Sequence, residues 1–372
     1  MQKVGIIAEY NPFHNGHIYH LNKVKEMFPN CYLILVLIGN FTQRGDLSII
    51  NKWDKTKLAL DYGYDLVVEL PFNIATSSAS VYASGAIKIL NELNCNYLVF
   101  GSETNDTLLL KKLVEITDDN KDYNNKIKLY LNKGYNYPKA CSLALNDISK
   151  IMIDKPNDVL ALEYIRSIYN QKSKIIPVSI KRTNDYHEEE ILCKITSATS
   201  IRKNISNKEK IKNALPSKSL NLCSNVSINN LFSYLKYEII SNDKLNEILD
   251  VDEGIENKLK KEVLNCNNID ELIKKVKSKR YSYNRIKRML LHILTNTKKD
   301  YLKDIKYIRV LGMTKKGKEI LKEAKKSTNL PIITKYKKEF DHLFKDDIKA
   351  SKIYSLITNY DYKEEFKTSL NK

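Results

Sequence analysis

The stretch Val4-Gly5-Ile6-Ile7-Ala8-Glu9-Tyr10-Asn11-Pro12-Phe13-His14-Asn15-Gly16-His17 decides how the chain is read. An apolar β run over residues 4–8 is followed by a short turn bearing Asn11-Pro12. A helix-period segment comes next, with apolar positions at Ile18, Leu21, Val24 and Phe28. The turn is therefore expected where a strand feeds a helix N-terminus. The free N–H groups and positive dipole end of such a start favour an anion, phosphate above all. Gly16 would let that anion approach the main chain, and His14 and His17 share one face once the helix has begun. Imidazoles so placed can donate to phosphate oxygens and stabilise charge that grows during transfer at an α-phosphate. Histidines near a helix start also serve as caps or surface residues, and the pair alone leaves that alternative open. No third His or Cys stands nearby at metal-site spacing, which disfavours zinc.

The alternation continues outward from this bend. Residues 31–38 form an apolar run suited to a strand buried on both faces. The polar loop Gly39-Asn40-Phe41-Thr42-Gln43-Arg44-Gly45 follows, at the end where open α/β sheets bind ligands. Arg44 could touch phosphate or RNA there, or be a solvated loop arginine. Residues 51–61 read as a helix packed through Trp53 and Leu60, residues 66–70 as a strand stopped by Pro71, and residues 80–93 as a helix. A strand over 97–100 then runs into Gly101-Ser102-Glu103. Gly101 could let a flat base or ribose lie against the backbone, or be an ordinary turn glycine. Residues 105–150 read as mostly helical. Pro156 and Asn157 begin a further helix, with Asn157 read as its capping residue. The last clear strand, 175–180, ends in Lys181-Arg182, where an arginine can fork onto phosphate or stack on adenine. Residues 196–202 place hydroxyls before a helix start, with Ser197 or Thr199 as candidate caps. The pattern predicts a Rossmann-like α/β domain with a parallel sheet over residues 1–205.

Beyond residue 206 the β signals largely disappear. Residues 231–249, 257–264, 269–276, 285–294 and 315–324 read as helices, giving a mainly α-helical, basic C-terminal domain over 206–372. The net charge of +18 is segregated: residues 1–205 hold 25 Lys+Arg against 22 Asp+Glu, whereas 206–372 hold 37 against 22. A segregated excess points to a polyanionic partner, RNA rather than DNA. The densest basic segment, 271–290, interleaves Lys279, Arg280, Arg285 and Arg288 with Tyr281 and Tyr283, the footprint of loop or single-stranded RNA recognition. The same run could be a solvated helix face. Residues 309–313 and the lysines after them read as an extension of that surface. No run of about 18 apolar residues and no secretory signal is present, so a cytoplasmic protein without a membrane partner is expected. Cys31, Cys95, Cys141, Cys193, Cys223 and Cys266 form no C-x-x-C pair and read as reduced, mostly buried side chains.

His14-Asn15-Gly16-His17 resembles the HxGH signature of the nucleotidylyltransferase superfamily, whose members form an adenylate and release pyrophosphate. The longer string Ile7-Ala8-Glu9-Tyr10-Asn11-Pro12-Phe13-His14-Asn15-Gly16-His17-Ile18-Tyr19-His20 is similar to that of the bacterial tRNA(Met) cytidine acetate ligase family. The resemblance continues in Gly39 to Gly45, in Phe100-Gly101-Ser102-Glu103, in Pro156 to Tyr164 and in Ser197 to Arg202. It implies that ATP and acetate form an acetyl-adenylate. The acetyl group then passes to N4 of the wobble cytidine of elongator tRNA(Met), with release of AMP and pyrophosphate. Carried over position by position, the resemblance makes His14 and His17 catalytic. It places ATP contacts along the Ile7 to His20 string and at Gly101, Asn157, Arg182, Ser200 and Arg202. The tRNA contacts expected at Lys279, Arg280, Arg285 and Arg288 come from the basic segment instead. Magnesium is compatible with this chemistry, but the sequence offers no evident carboxylate pair for it. No lysine-rich KMSKS-type loop is present, which counts against amino-acid charging of tRNA. Two alternatives stand. One is a nucleotidylyltransferase that transfers AMP to a small phosphate ester in cofactor synthesis, and the other is a non-catalytic RNA-binding regulator that senses ATP.

Overall fold

Five parallel strands form the frame: β1 (Lys3–Ala8), β2 (Tyr32–Ile38), β3 (Leu66–Leu70), β4 (Tyr97–Ser102) and β5 (Ile176–Lys181). The computed structural model describes residues 1–182, 195–300 and 304–372. Across the sheet the strands run β5-β4-β1-β2-β3, each pair parallel. The order reverses at β1, whose carboxyl end therefore opens into the crevice where doubly wound sheets hold ligands. β2 is apolar and buried along its length because helices cover both faces. Leu33, Leu35 and Leu37 pack with Leu21, Val24 and Trp53 on one side. Ile34, Val36 and Ile38 pack with Ala83, Ile87 and Leu90 on the other.

Helices Asn15–Met27, Lys52–Asp61 and Ala79–Glu92 lie near where the apolar periodicity puts them, and residues 105–150 supply Thr107–Thr117, Lys121–Asn132 and Tyr137–Ser149. In the second half Ile269–Val276 and Lys315–Ala324 match expectation. The helix expected over 231–249 stops at Ser241 and resumes only as a 3-10 turn at Leu245–Glu247. Cys31, Cys95, Cys223 and Cys266 are buried, Cys141 is half-buried, and all five are free. Cys193 lies outside the described residues. Among the described residues no helix is long and apolar enough to cross a membrane.

The second half also returns to the sheet, which its sequence did not announce. β6 (Ile308–Met313) pairs antiparallel with β3, while β7 (Ile332–Ile333) and β8 (Leu370–Asn371) both run parallel to β6. The reading of residues 309–313 as RNA surface is thereby corrected: β6 is buried throughout. Its arginine is matched inside the protein, with Arg309 Nη1 2.6 Å from Glu365 Oε2 and 3.1 Å from Glu69 Oε2. Lys52 Nζ stands 2.7 Å from Glu69 Oε1 and 2.6 Å from Glu365 Oε2. Burial favours the protonated acid at Glu365, but the Lys52 and Arg309 cations outweigh it and hold the carboxyl well below its ordinary range.

Candidate active site

The bend between β1 and the Asn15–Met27 helix is held from three directions. Asn11 Nδ2 donates to the Leu47 carbonyl (3.0 Å), Asn11 Oδ1 accepts from the Ile49 amide (2.9 Å), and the Asn11 carbonyl accepts from Arg202 Nη1 (2.7 Å). Ser219 Oγ donates to the Phe13 carbonyl at 2.6 Å. The two histidines close the helix start reciprocally: His14 Nδ1 accepts from the Gly16 amide (3.0 Å) and His17 Nδ1 accepts from the His14 amide (3.2 Å). A neutral imidazole that accepts at Nδ1 carries its proton on Nε2. The rings, 3.8 Å apart between centroids, are thus capping groups and Nε2–H donors at once. Gly16 serves them in a way its sequence position does not reveal. A Cβ there would lie 2.8 Å from His14 Cε1, so the glycine makes room for the imidazole rather than for an anion at the main chain.

Burial pushes the His14 imidazole down to about 3, with Arg182 and Arg202 adding to the shift. His17 is held well below its ordinary value by burial, then by His14, Arg182 and His20, and His20 falls to about 4 through burial and Arg182. Near neutral pH the positive charge of the site comes from the two guanidiniums, and the imidazoles donate as neutral groups. Nε2 of His20, Nε of Arg182 and Oγ1 of Thr196 are buried without a hydrogen-bond partner among the described residues. Desolvated polar atoms without partners are costly in a folded chain.

At the ends of β4 and β5, Gly101 lies under the Arg182 side chain, where a Cβ would meet Arg182 Cγ at 3.3 Å. Asn157 occupies the first turn of the Pro156–Asn170 helix instead of capping it; Lys155 is at the cap. The helix start is satisfied by Glu103, whose Oε2 accepts from the Asp158 amide (2.9 Å) and whose Oε1 accepts from Asn157 Nδ2 (2.5 Å). Asn157 Oδ1 in turn accepts from Arg182 Nη1 at 3.5 Å. Ser197 caps the Ala198–Lys203 helix through the Ser200 amide (3.1 Å), Ser200 is buried, and Arg202 Nη2 reaches Thr199 Oγ1 at 3.3 Å.

Lys55 was missed by the sequence reading. Its Nζ is buried at the carboxyl ends of β1 and β2, donating to the carbonyls of Glu9 (3.0 Å), Ile38 (3.1 Å) and Gly39 (2.8 Å). Burial draws its pKa down to about 7, against the pull of Glu9 and Glu69. A lysine three residues after Lys52 on an amphipathic helix carries no sequence mark of such burial. Gln43 completes this rim, its amide donating to Glu9 Oε1 (2.9 Å) and its Nε2 to the Ser77 carbonyl (2.9 Å). Among the described residues no group of three His, Cys, Asp or Glu side chains is placed to hold a metal ion.

A sequence model of the family described as HIGH Nucleotidyl Transferase matches residues 1–369. The tRNA(Met) cytidine acetate ligase of Clostridium perfringens strain SM101 is 44% identical over 385 residues, covering 96% of either chain. That of Caldicellulosiruptor saccharolyticus is 41% identical over 376 residues, covering 96% of this chain and 94% of its own. The chain belongs to the tRNA(Met) cytidine acetate ligase family. A crystal structure of Thermotoga maritima TmcAL bound with alpha-thio ATP matches it with a TM-score of 0.90 at 29% identity, covering 100% of this chain and 99% of that one.

In this member of the tRNA(Met) cytidine acetate ligase family the basic segment divides. Lys279 and Arg280 are exposed between the Ile269–Val276 and Tyr283–Thr295 helices. Arg285 and Arg288 are half-buried: Arg285 lies 4.3 Å from the Tyr281 ring centre and 3.5 Å from Asp252, and Arg288 Nε is 4.0 Å from Asp250. The expectation that Tyr281 and Tyr283 stack on bases is corrected. Tyr281 is buried with its hydroxyl on the Asp252 carbonyl (2.8 Å), and Tyr283 is half-buried with its hydroxyl on Asp270.

Proposed function

We propose that the chain is an ATP-dependent acetate ligase that makes N4-acetylcytidine at the wobble position of elongator tRNA(Met). An acetate oxygen attacks the α-phosphorus of ATP, the bond to the β-phosphate oxygen breaks, and pyrophosphate leaves. The cytidine N4 amine then attacks the acetyl carbonyl carbon, the acyl–phosphate bond breaks, N4 loses a proton, and AMP departs. The reading is carried by one observation, that backbone amides occupy Nδ1 of both His14 and His17. Two fixed neutral donors can stabilise charge on the α-phosphate without carrying protons of their own into the reaction. Arg182 and Arg202 would hold the phosphates, Ser200 the outer end of the triphosphate, and Gly101 and Asn157 the nucleoside side. Glu103 and Lys55 fix the helix start and strand ends that present these groups. Such catalysis rests on positioning and charge, as phosphoryl chemistry generally does. Lys279, Arg280, Arg285 and Arg288 would meet the tRNA backbone.

The test is exchange of labelled pyrophosphate into ATP, followed by AMP release. Exchange that needs acetate, and AMP release that needs tRNA, support the proposal. Transfer of AMP to a nicotinamide or pantetheine phosphate, with no acetate dependence, replaces it with cofactor synthesis.

A further inference from the structure

The basic segment has lost Tyr281 and Tyr283 as stacking partners, yet it does not stand without aromatics. The turn between the Lys121–Asn132 and Tyr137–Ser149 helices comes up beside it: a Cβ on Gly134 would lie 4.0 Å from Lys279 Cδ. That turn exposes Tyr135 and Tyr137, whose surfaces are 40% and 61% accessible. Lys133 and Lys139 flank the two rings and are exposed as well. Tyr135 is braced edge-on against the Tyr130 ring, with centroids 6.0 Å apart, so its orientation is fixed from below. On the facing side Arg280 meets Glu253 only at 3.4 Å, across an exposed pair that screens little of its charge.

We propose that Tyr135 and Tyr137 form a stacking platform for unpaired bases of an RNA loop whose phosphates are held by Lys133, Lys139, Lys279 and Arg280. The proposal deepens the ligase reading and rests on it. An amine on an unpaired base must leave its stack to reach an acyl-adenylate, and the neighbouring bases then need a flat surface to rest on. Aromatic rings provide that surface with little regard to base identity, while lysines track the backbone. The platform joins the two halves of the chain, so a loop bound there touches both.

The experiment compares wild type with Tyr135→Ala/Tyr137→Ala and Tyr135→Phe/Tyr137→Phe. It measures binding of a tRNA(Met) anticodon stem-loop and of the same stem closed into a continuous duplex, alongside acetate-dependent pyrophosphate exchange without RNA. The double alanine variant should weaken stem-loop binding at least about fivefold and leave duplex binding and exchange unchanged. The phenylalanine variant should bind the stem-loop like wild type. Stem-loop binding that survives both alanines overturns the platform, as does an equal loss for loop and duplex. Absence of acetate-dependent exchange in wild type overturns the ligase reading instead, and loop selectivity is still read from binding alone.

Discussion

A Cβ built on Gly45 would lie 2.6 Å from the main-chain nitrogen of Arg288. The loop after β2 therefore meets the Tyr283–Thr295 helix backbone to backbone, and Lys287 Nζ clasps Asp46 beside it at 2.9 Å. Gln43 in the same loop donates to Glu9 in the bend after β1. The helix that carries Arg285 and Arg288 is thus two contacts from the proposed ATP site.

Gly45→Ala tests that contact. The residue has φ +76°, a conformation that disfavours a side chain by about 1–2 kcal/mol, and the methyl group must in addition displace main chain. We expect a loss of roughly 2 kcal/mol or more in denaturant unfolding, with the KM for tRNA rising more than the KM for ATP. A variant as stable as wild type would mean that the loop and helix separate freely.

His14→Asn and Gly16→Ala separate the capping role of the HxGH bend from its donor role. Asparagine caps helices as well as any residue, so His14→Asn should cost well under about 1 kcal/mol in stability. It removes an oriented N–H donor, and pyrophosphate exchange should fall about 10²–10³-fold. Gly16→Ala keeps both imidazoles but pushes the His14 ring aside, and should lose exchange with little change in ATP binding. Full exchange activity in either variant would take the histidines out of the chemistry.

The bend was legible in the sequence because its logic is local. A strand, a turn and a helix start lie within one short stretch, and the glycine and histidines sit at fixed offsets inside it. Strand β2 was legible for a related reason, since a strand buried on both faces reads as an unbroken apolar run. What sequence could not reveal is pairing at a distance. Arg309 made β6 look like surface because its partners are Glu69 and Glu365, far away in the chain. Tyr281 looked like a base-stacking ring because nothing local says that its hydroxyl is taken by Asp252. Lys55 gave no sign that three strand-end carbonyls would surround it.

The buried charges at Lys52 yield a prediction about stability alone. Lys52→Met leaves Glu69 and Glu365, both buried, to share the single cation of Arg309. Breaking a buried ion network from one side costs about 3–5 kcal/mol. Urea unfolding should register a loss of that size, and Lys52→Met/Glu365→Gln should recover part of it. A loss under about 1 kcal/mol would mean that water or rearrangement already screens these carboxylates.

Acid should weaken the free protein through its histidines. His14 and His20 are held at about 3 and about 4 by burial and by the nearby guanidiniums, whereas in an unfolded chain each titrates near 6.5. Below about pH 6.5 the unfolded chain therefore binds protons that the folded chain refuses. This contribution to stability is complete above that pH and shrinks as the pH falls, by at most about 1.4 kcal/mol per unit for each imidazole, levelling off as His20 and then His14 protonate. His14→Asn removes one of these groups, so its stability should decline less steeply than that of wild type. Thermal unfolding across this range measures the effect. Parallel pH profiles for wild type and His14→Asn would show that His14 is not the buried neutral donor on which the proposed phosphate contact depends.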